Sequence, residues 1–261
     1  MHACCGSENV DEAMKTIDEQ VAGKKAELDR LRPLSLGSAA ALAEWYDVEL
    51  TYTSNAIEGN VLTRIETAIV LEKGITIAGK PLRDHMEAIG HKEALDFIRA
   101  LAERDEKIRE MDIRQIQSLV VSHSDRADAG RYSPHQRAIS GSSLVLPGPA
   151  EIGPLMSDFG AWLAKAPSNA ETAFSAHERL VTIHPFTDGN GRTARLLMNL
   201  VLFKAGYPPV VIGPEQREEY INGLELFPKD PEPYRNLMTA RLDASLDHHL
   251  EFLRKGLGSV P

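Results

Sequence analysis

Cysteine is nearly absent from these 261 residues, and the only two, Cys4 and Cys5, are neighbours in the N-terminal tail. Such a pair supports neither a disulfide framework nor zinc-ligand spacing. Long apolar runs are also missing. None approaches the roughly 20 residues that span a bilayer, and the start Met-His-Ala-Cys-Cys-Gly-Ser-Glu has no basic flank or apolar core. An unprocessed, cytoplasmic protein with no membrane contact is expected. No basic block stands out either: 29 Lys and Arg face 38 Asp and Glu, a formal charge of −9 spread along the chain, so no nucleic-acid partner is expected. Repeats with a period of about 20 to 50 residues and Pro/Ser-rich linkers are lacking. What remains, 43% hydrophobic and 26% charged, is the composition of a globular domain.

Helical periodicity dominates. Val10, Ala13, Met14, Ile17, Val21, Leu28 and Leu31 recur at helical spacing until Pro33, marking a helix over about 10–32. A second helix is expected from near Ser38 to Gly59, and Thr63 with Glu66 forms a capping box for a third, closed by Gly74. Asp112 with Gln115, and Ser168 with Glu171, read as two more helix starts. The segment from Gln136 to Leu146, ending at Pro147-Gly148-Pro149, suits a small hairpin instead. From Arg192 to Ala205 the chain is apolar nearly all round, which marks a helix buried on every side at the centre of the fold.

That central helix begins with a contradiction, because Arg192 and Arg195 sit in its first turns, where the helix dipole disfavours cations. An anion belongs there. Gly189-Asn190-Gly191 can expose consecutive N–H groups beside the unpaired amides of the helix start, a cradle for phosphate oxygens. Arg192 and Arg195, three apart, add two planar forks of donors. Asp188 places a carboxylate beside the cradle, where Mg²⁺ completes its shell with water and phosphate. His184 stands four residues earlier at a helix end, with a side chain able to take the proton of an attacking hydroxyl. Each part alone is commoner as structure: a helix-end histidine, a Gly-Asn-Gly turn, arginines paired with carboxylates. Their conjunction within twelve residues favours chemistry. Gly189-x-Gly191-x-x-Ala194 matches a dinucleotide fingerprint, but it follows no strand and belongs to no βαβ unit.

His184-Pro-Phe-Thr-Asp-Gly-Asn-Gly-Arg-Thr-Ala-Arg195 resembles the signature of the Fic family, His-x-Phe-x-(Asp/Glu)-Gly-Asn-Gly-Arg-x-x-Arg, at every specified position. The resemblance implies an all-α Fic fold with a small β-hairpin flap. It implies transfer of AMP from ATP to a Ser, Thr or Tyr hydroxyl of a protein target or of the chain itself, with Mg²⁺ and release of pyrophosphate. His184 would be the base and Asp188 the Mg²⁺ ligand. Gly189, Asn190 and Gly191 would hold the inner phosphates, Arg192 and Arg195 the outer ones, with Thr193 and Ala194 inside the same nucleotide-binding stretch. In the related Doc proteins the Gly-Asn-Gly-Arg portion is altered and the chemistry is phosphorylation; here it is intact.

Other segments are similar to the family too. Gly130-Arg131-Tyr132 and the hairpin resemble the flap that holds the target by strand addition, with Arg137, Ala138, Ile139 and Ser140 facing target or nucleotide. Tyr220, after Gln216-Arg217, is a candidate adenine wall or a core aromatic. Ser54-x-x-x-Glu58-Gly59 matches the inhibitory motif, in which Glu58 pairs with Arg195 and keeps ATP misaligned. The domain plan is an N-terminal helical arm, 1–36, then a Fic region, 37–261, with inhibitory helix at about 38–59, flap at about 131–147 and catalytic core at about 110–250. The arm either docks on the core or pairs two subunits in a homodimer. Two other readings stay open: removal of AMP by the same site, with Glu58 orienting water, and a nucleotide-sensing interaction module.

Overall fold

A computed structural model describes residues 7–124, 127–139 and 144–257, with side chains from 18 to 255. Cys4, Cys5 and Ser140 lie outside the described residues. Ten α-helices and one 3-10 turn are described: α1 Ser7–Arg30, α2 Leu36–Ile57, α3 Arg64–Lys73, α4 Leu82–Ala102, α5 Glu110–Val121, α6 Pro149–Lys165, α7 Ala170–Ile183, α8 Asn190–Lys204, the turn Pro214–Gln216, α9 Arg217–Leu226 and α10 Glu232–Leu257. None is long and apolar enough to cross a membrane.

The central helix is where its apolar circumference requires. Helix α8 packs against α7, α4, α5 and α2, and every residue from Thr193 to Leu202 is buried. At about 1.5–3 kcal/mol for each large apolar side chain removed from water, α8 is the main stabilising element of the core. Helices α4 and α5 cross close by, permitted by Gly90: a Cβ there would lie 2.6 Å from the Leu119 carbonyl oxygen. Helix α1 lies along α10, with Leu28 fully buried and Lys24 paired to Asp243 and Asp247 at 2.7 Å each. The arm therefore docks on the core.

Helix ends follow the capping rules more closely than they follow the expected positions. The Thr63–Glu66 box is formed in both directions and Gly74 ends α3 at φ +63°. Helix α2 starts earlier than expected, because Ser35, not Ser38, is the cap: its hydroxyl accepts from the Ser38 amide at 3.1 Å. Asp112 is not a cap but the third residue of α5, reaching back to the Arg109 amide at 2.8 Å. Asn169 displaces Ser168 at the head of α7, accepting from the Thr172 amide at 2.8 Å.

The expected hairpin differs in kind. Among the described residues of 131–147 there is no strand ladder, only an isolated bridge from Tyr132 to Phe186. Pro134 and Pro147, at the bases of the two arms, have no N–H to donate to a ladder. A side chain joins the arms instead, Gln136 Nε2 donating to the Leu146 carbonyl at 3.0 Å.

Candidate active site at the head of the central helix

His184 ends α7 in the left-handed region, φ 49° and ψ 53°, which a non-glycine residue occupies at a cost of about 1–3 kcal/mol. The next residues hold it there. Phe186 is fully buried, Pro185 accepts at its carbonyl from the Ser133 amide at 2.8 Å, and Asn190 clasps Phe186. The Asn190 Oδ1 accepts from the Phe186 amide at 2.9 Å and its Nδ2 donates to the Phe186 carbonyl at 2.8 Å. The Asn190 side chain thus ties the loop to the head of α8. Burial pushes the His184 imidazole below its ordinary 6.5, with the Arg137 charge acting the same way against Glu58 and Asp188. It is neutral near pH 7, the form a proton acceptor needs.

Gly189, φ +79°, is the N-cap of α8 and offers no side-chain acceptor to the first turn. The amides of Asn190, Gly191 and Arg192 stand in the first turn, where no intrahelical carbonyl serves them, an arrangement that suits an anion. A Cβ on Gly191 would lie 2.3 Å from Glu58 Oε1. The Glu58 carboxylate is thus seated against the head of the helix, where the dipole favours an anion.

Glu58 reaches that place from the end of α2. Arg195 Nη2 donates to Glu58 Oε1 at 2.7 Å and to the Ser54 carbonyl at 2.8 Å, and Nε donates to Ser54 Oγ at 2.9 Å. Ser54, Glu58 and Arg195, 141 residues apart at the extremes, are one hydrogen-bonded unit. Gly59 follows at φ +96° and turns the chain away. Burial alone would raise the Glu58 carboxyl, but the Arg195 and Arg192 charges outweigh it and hold the group below its ordinary 4.5.

Arg192 is almost wholly buried, its Nη2 3.3 Å from Asp188 Oδ1 and its Nη1 3.4 Å from Glu87 Oε1. Those separations exceed the 2.7–2.9 Å or so of a well-formed charged hydrogen bond. Arg83 approaches from the other side, bonding Glu87 at 2.9 Å and standing 3.4 Å from Asp188. Asp188 keeps 39% of its side chain exposed, so it can offer one oxygen outward. A single partly exposed carboxylate beside phosphate-binding amides is a donor set that suits Mg²⁺ sharing its shell with a nucleotide.

Three of the expected nucleotide contacts are buried side chains. Thr193 and Ala194 follow the first turn of α8 and are fully buried. Tyr220 is 1% exposed, the burial of a core aromatic. Its hydroxyl meets His177 Nε2 at 2.8 Å and Arg195 Nη1 at 3.4 Å, so it supports the arginine from beneath. In the flap, Arg137 Nη2 donates to the Thr187 carbonyl at 2.7 Å, while Ala138 is exposed and Ile139 half-buried.

Residues outside the motif complete the site. Buried Gln117 on α5 donates to the Asp188 carbonyl at 3.0 Å and accepts from the Gly130 amide at 2.6 Å, tying the catalytic loop to the foot of the flap. Nothing in the spacing of α5 separates it from other polar positions. Arg83 and Glu87, one turn apart on α4, carried an ion-pair spacing common to many surface helices.

The central helix thus presents its first-turn amides, two arginines, a neutral histidine and a partly exposed carboxylate at one end of a helical core. The model of the Fic/DOC family matches residues 107–202. Among curated relatives, protein adenylyltransferase Fic of Nematostella vectensis is 36% identical over 91% of this chain and 57% of its own length. That of Drosophila willistoni is 33% identical over 95% of this chain and 51% of its own length. The chain therefore spans about half the length of the curated relatives it matches. The solved Fic-1 (aa134–508) of C. elegans superimposes with a TM-score of 0.81 at 31% identity, covering 94% of this chain and 73% of that one. The chain belongs to the Fic/DOC family, and its fold is the Fic fold.

Proposed function

We propose that the protein transfers AMP from ATP to a Ser, Thr or Tyr hydroxyl of a protein, itself included, and that Glu58 holds this activity down at rest. One observation carries the reading: the Glu58 carboxylate lies on the phosphate cradle, against Gly191 and bonded to Arg195. An anion held by the groups that would bind the outer phosphate competes with that phosphate. The names of the relatives, protein adenylyltransferase Fic, support the direction of transfer.

In the proposed step the acceptor hydroxyl attacks the α-phosphorus in line, a P–O bond forms, His184 takes the proton, and pyrophosphate leaves. The amides at the head of α8 and the Arg192 and Arg195 guanidinium groups stabilise the charge of the phosphates. When bound, Mg²⁺ would neutralise phosphate charge, with Asp188 as its protein ligand. The flap, its foot fixed by Gln117 and Arg114, would present the target segment beside His184.

The test compares wild type, Glu58→Gly and His184→Ala with α-labelled ATP, reading label on protein and mass gain by spectrometry. AMP adducts on Glu58→Gly, little on wild type and none on His184→Ala support the reading. A different adduct mass, or a His184→Ala variant that labels as well, refutes it.

A further inference from the structure

Buried polar atoms with no hydrogen-bond partner among the described residues fall mainly in two places. One is the site above, at Asn55, Arg137, His184, Arg192 and Thr193. The other lies between α2 and α10, at Tyr46 Oη, Arg241 Nε, His248 Nε2 and both nitrogens of His249. Buried groups of this kind cost about 1–3 kcal/mol each, and proteins retain them where a ligand, water or reaction uses them.

Tyr46, Arg241 and His248, but not His249, line a cleft of about 250 Å³ formed by Trp45, Tyr46 and Tyr52 on α2, Arg241, Ser245 and His248 on α10, and the turn at Gly213–Gln216. Tyr46 is 96% buried, with its hydroxyl unpartnered. Arg241 makes no ion pair or hydrogen bond among the described residues, a rare condition for a half-buried guanidinium. The two carboxylates of the lining do not serve it: Glu49 bonds Arg64, and Glu215 accepts from Gln216.

We propose that this cleft is a second ligand site, for a small anion built on a single flat ring. Arg241 supplies the charge, the Tyr46 hydroxyl and His248 supply hydrogen bonds, and Tyr52, beside the Trp45–His248 pair stacked at 4.0 Å, supplies a wall for a ring. The volume, below the roughly 300–1,000 Å³ of drug-sized pockets, limits the ligand to about one ring. Ser54 and Glu58 end the same α2 helix, so an occupant that joins α2 to α10 steadies the Glu58–Arg195 contact. By linkage, it and ATP oppose each other. This consequence rests on the inhibitory role given to Glu58; the site itself does not.

The experiment is calorimetric titration of the whole chain with benzoate and phenyl phosphate, and with uncharged benzamide as control. Saturable one-to-one binding of the anions is expected, at least tenfold tighter than benzamide, and weakened at least tenfold in Arg241→Met. Tyr46→Phe weakens it severalfold without lowering the thermal midpoint, because the lost hydroxyl had no partner. In the labelling assay, benzoate slows wild type and leaves Glu58→Gly unaffected. Absence of saturable binding, or equal binding by Arg241→Met, overturns the site. Inhibition of both forms alike places benzoate in the catalytic cradle and overturns it too. Binding is read without any transfer, so a chain that labels nothing refutes only the proposed activity.

Discussion

Replacing Glu58 by glycine perturbs one contact and little else, which makes its effect calculable. Position 58 has φ −86° and ψ 2°, a conformation glycine adopts freely. Arg195 keeps the Ser54 carbonyl at 2.8 Å, Ser54 Oγ at 2.9 Å and the Tyr220 hydroxyl at 3.4 Å, so it is not stranded. What ATP no longer has to displace is a charge-assisted bond to a buried guanidinium. Such bonds contribute about 1.5–3 kcal/mol, reduced here to about 1–1.5 because 36% of the Glu58 side chain is exposed. Vacating the head of α8 adds a helix-dipole interaction of about 0.5–1 kcal/mol. Together, about 2 kcal/mol corresponds to roughly a 30-fold rise in the productively bound population. The assay is initial-rate incorporation from α-labelled ATP, with ATP affinity and the thermal midpoint measured on the same samples. A rise below about threefold, with binding and fold intact, would show that Glu58 does not restrain the site.

The transfer rate of Glu58→Gly should fall in acid with a midpoint below 6.5, because burial holds the His184 imidazole low; a midpoint above 7 contradicts the neutral-base assignment. Asp188→Asn in the same background should lose Mg²⁺-stimulated transfer by roughly a hundredfold, read as rate against Mg²⁺ concentration. Gln117→Leu leaves the Asp188 carbonyl and Gly130 amide unbonded, and should cost about 2 kcal/mol in urea unfolding and slow transfer about tenfold. His91 and His177, both held down to about 3 by burial and by Arg195, bind protons in the unfolded chain but not in the fold. Stability from them is complete above 6.5 and is lost as pH falls toward 3, by about 1.4 kcal/mol per pH unit for each. From pH 7 to 5 the unfolding free energy should drop by about 4 kcal/mol, and His91→Gln should reduce that slope; a flat profile refutes the burial argument.

The sequence was most legible where one residue type answers one physical need. Gly74 and the Thr63–Glu66 box predicted a helix end and a helix start because few other residues satisfy those backbones. The nearly all-apolar stretch from Arg192 to Ala205 announced a core helix, and two arginines at its head announced an anion. Legibility failed for side-chain direction. Thr193 and Ala194 belong to the motif, yet both are fully buried, and the Asn190 amide is taken up by Phe186. Tyr220 is buried beneath Arg195, a contact 25 residues away that no local pattern marks. Gln117, Arg83 and Glu87 escaped notice because each acts through partners more than 70 residues away or through an ordinary helical ion pair, neither of which leaves a local pattern.

The charges around the cradle show why the resting form is self-consistent. Arg83, Arg192 and Arg195 face Glu58, Glu87 and Asp188 in one linked set of contacts. At rest the set is balanced, which offsets the burial of Arg192 and Arg195 at the positive end of α8. In the proposed reading a nucleotide would bring further negative charge to the same amides, and full engagement of its outer phosphate would require Glu58 to leave Arg195. Asp188 cannot leave in its place if it is to hold a cation, and Glu87 is buried against Arg192. Of the two partly exposed carboxylates, Glu58 at 36% and Asp188 at 39%, Glu58 is the one that holds no cation in the proposed reading, and it stands at a helix end followed by a glycine at φ +96°. Restraint therefore falls to the residue that the local geometry leaves most free to move.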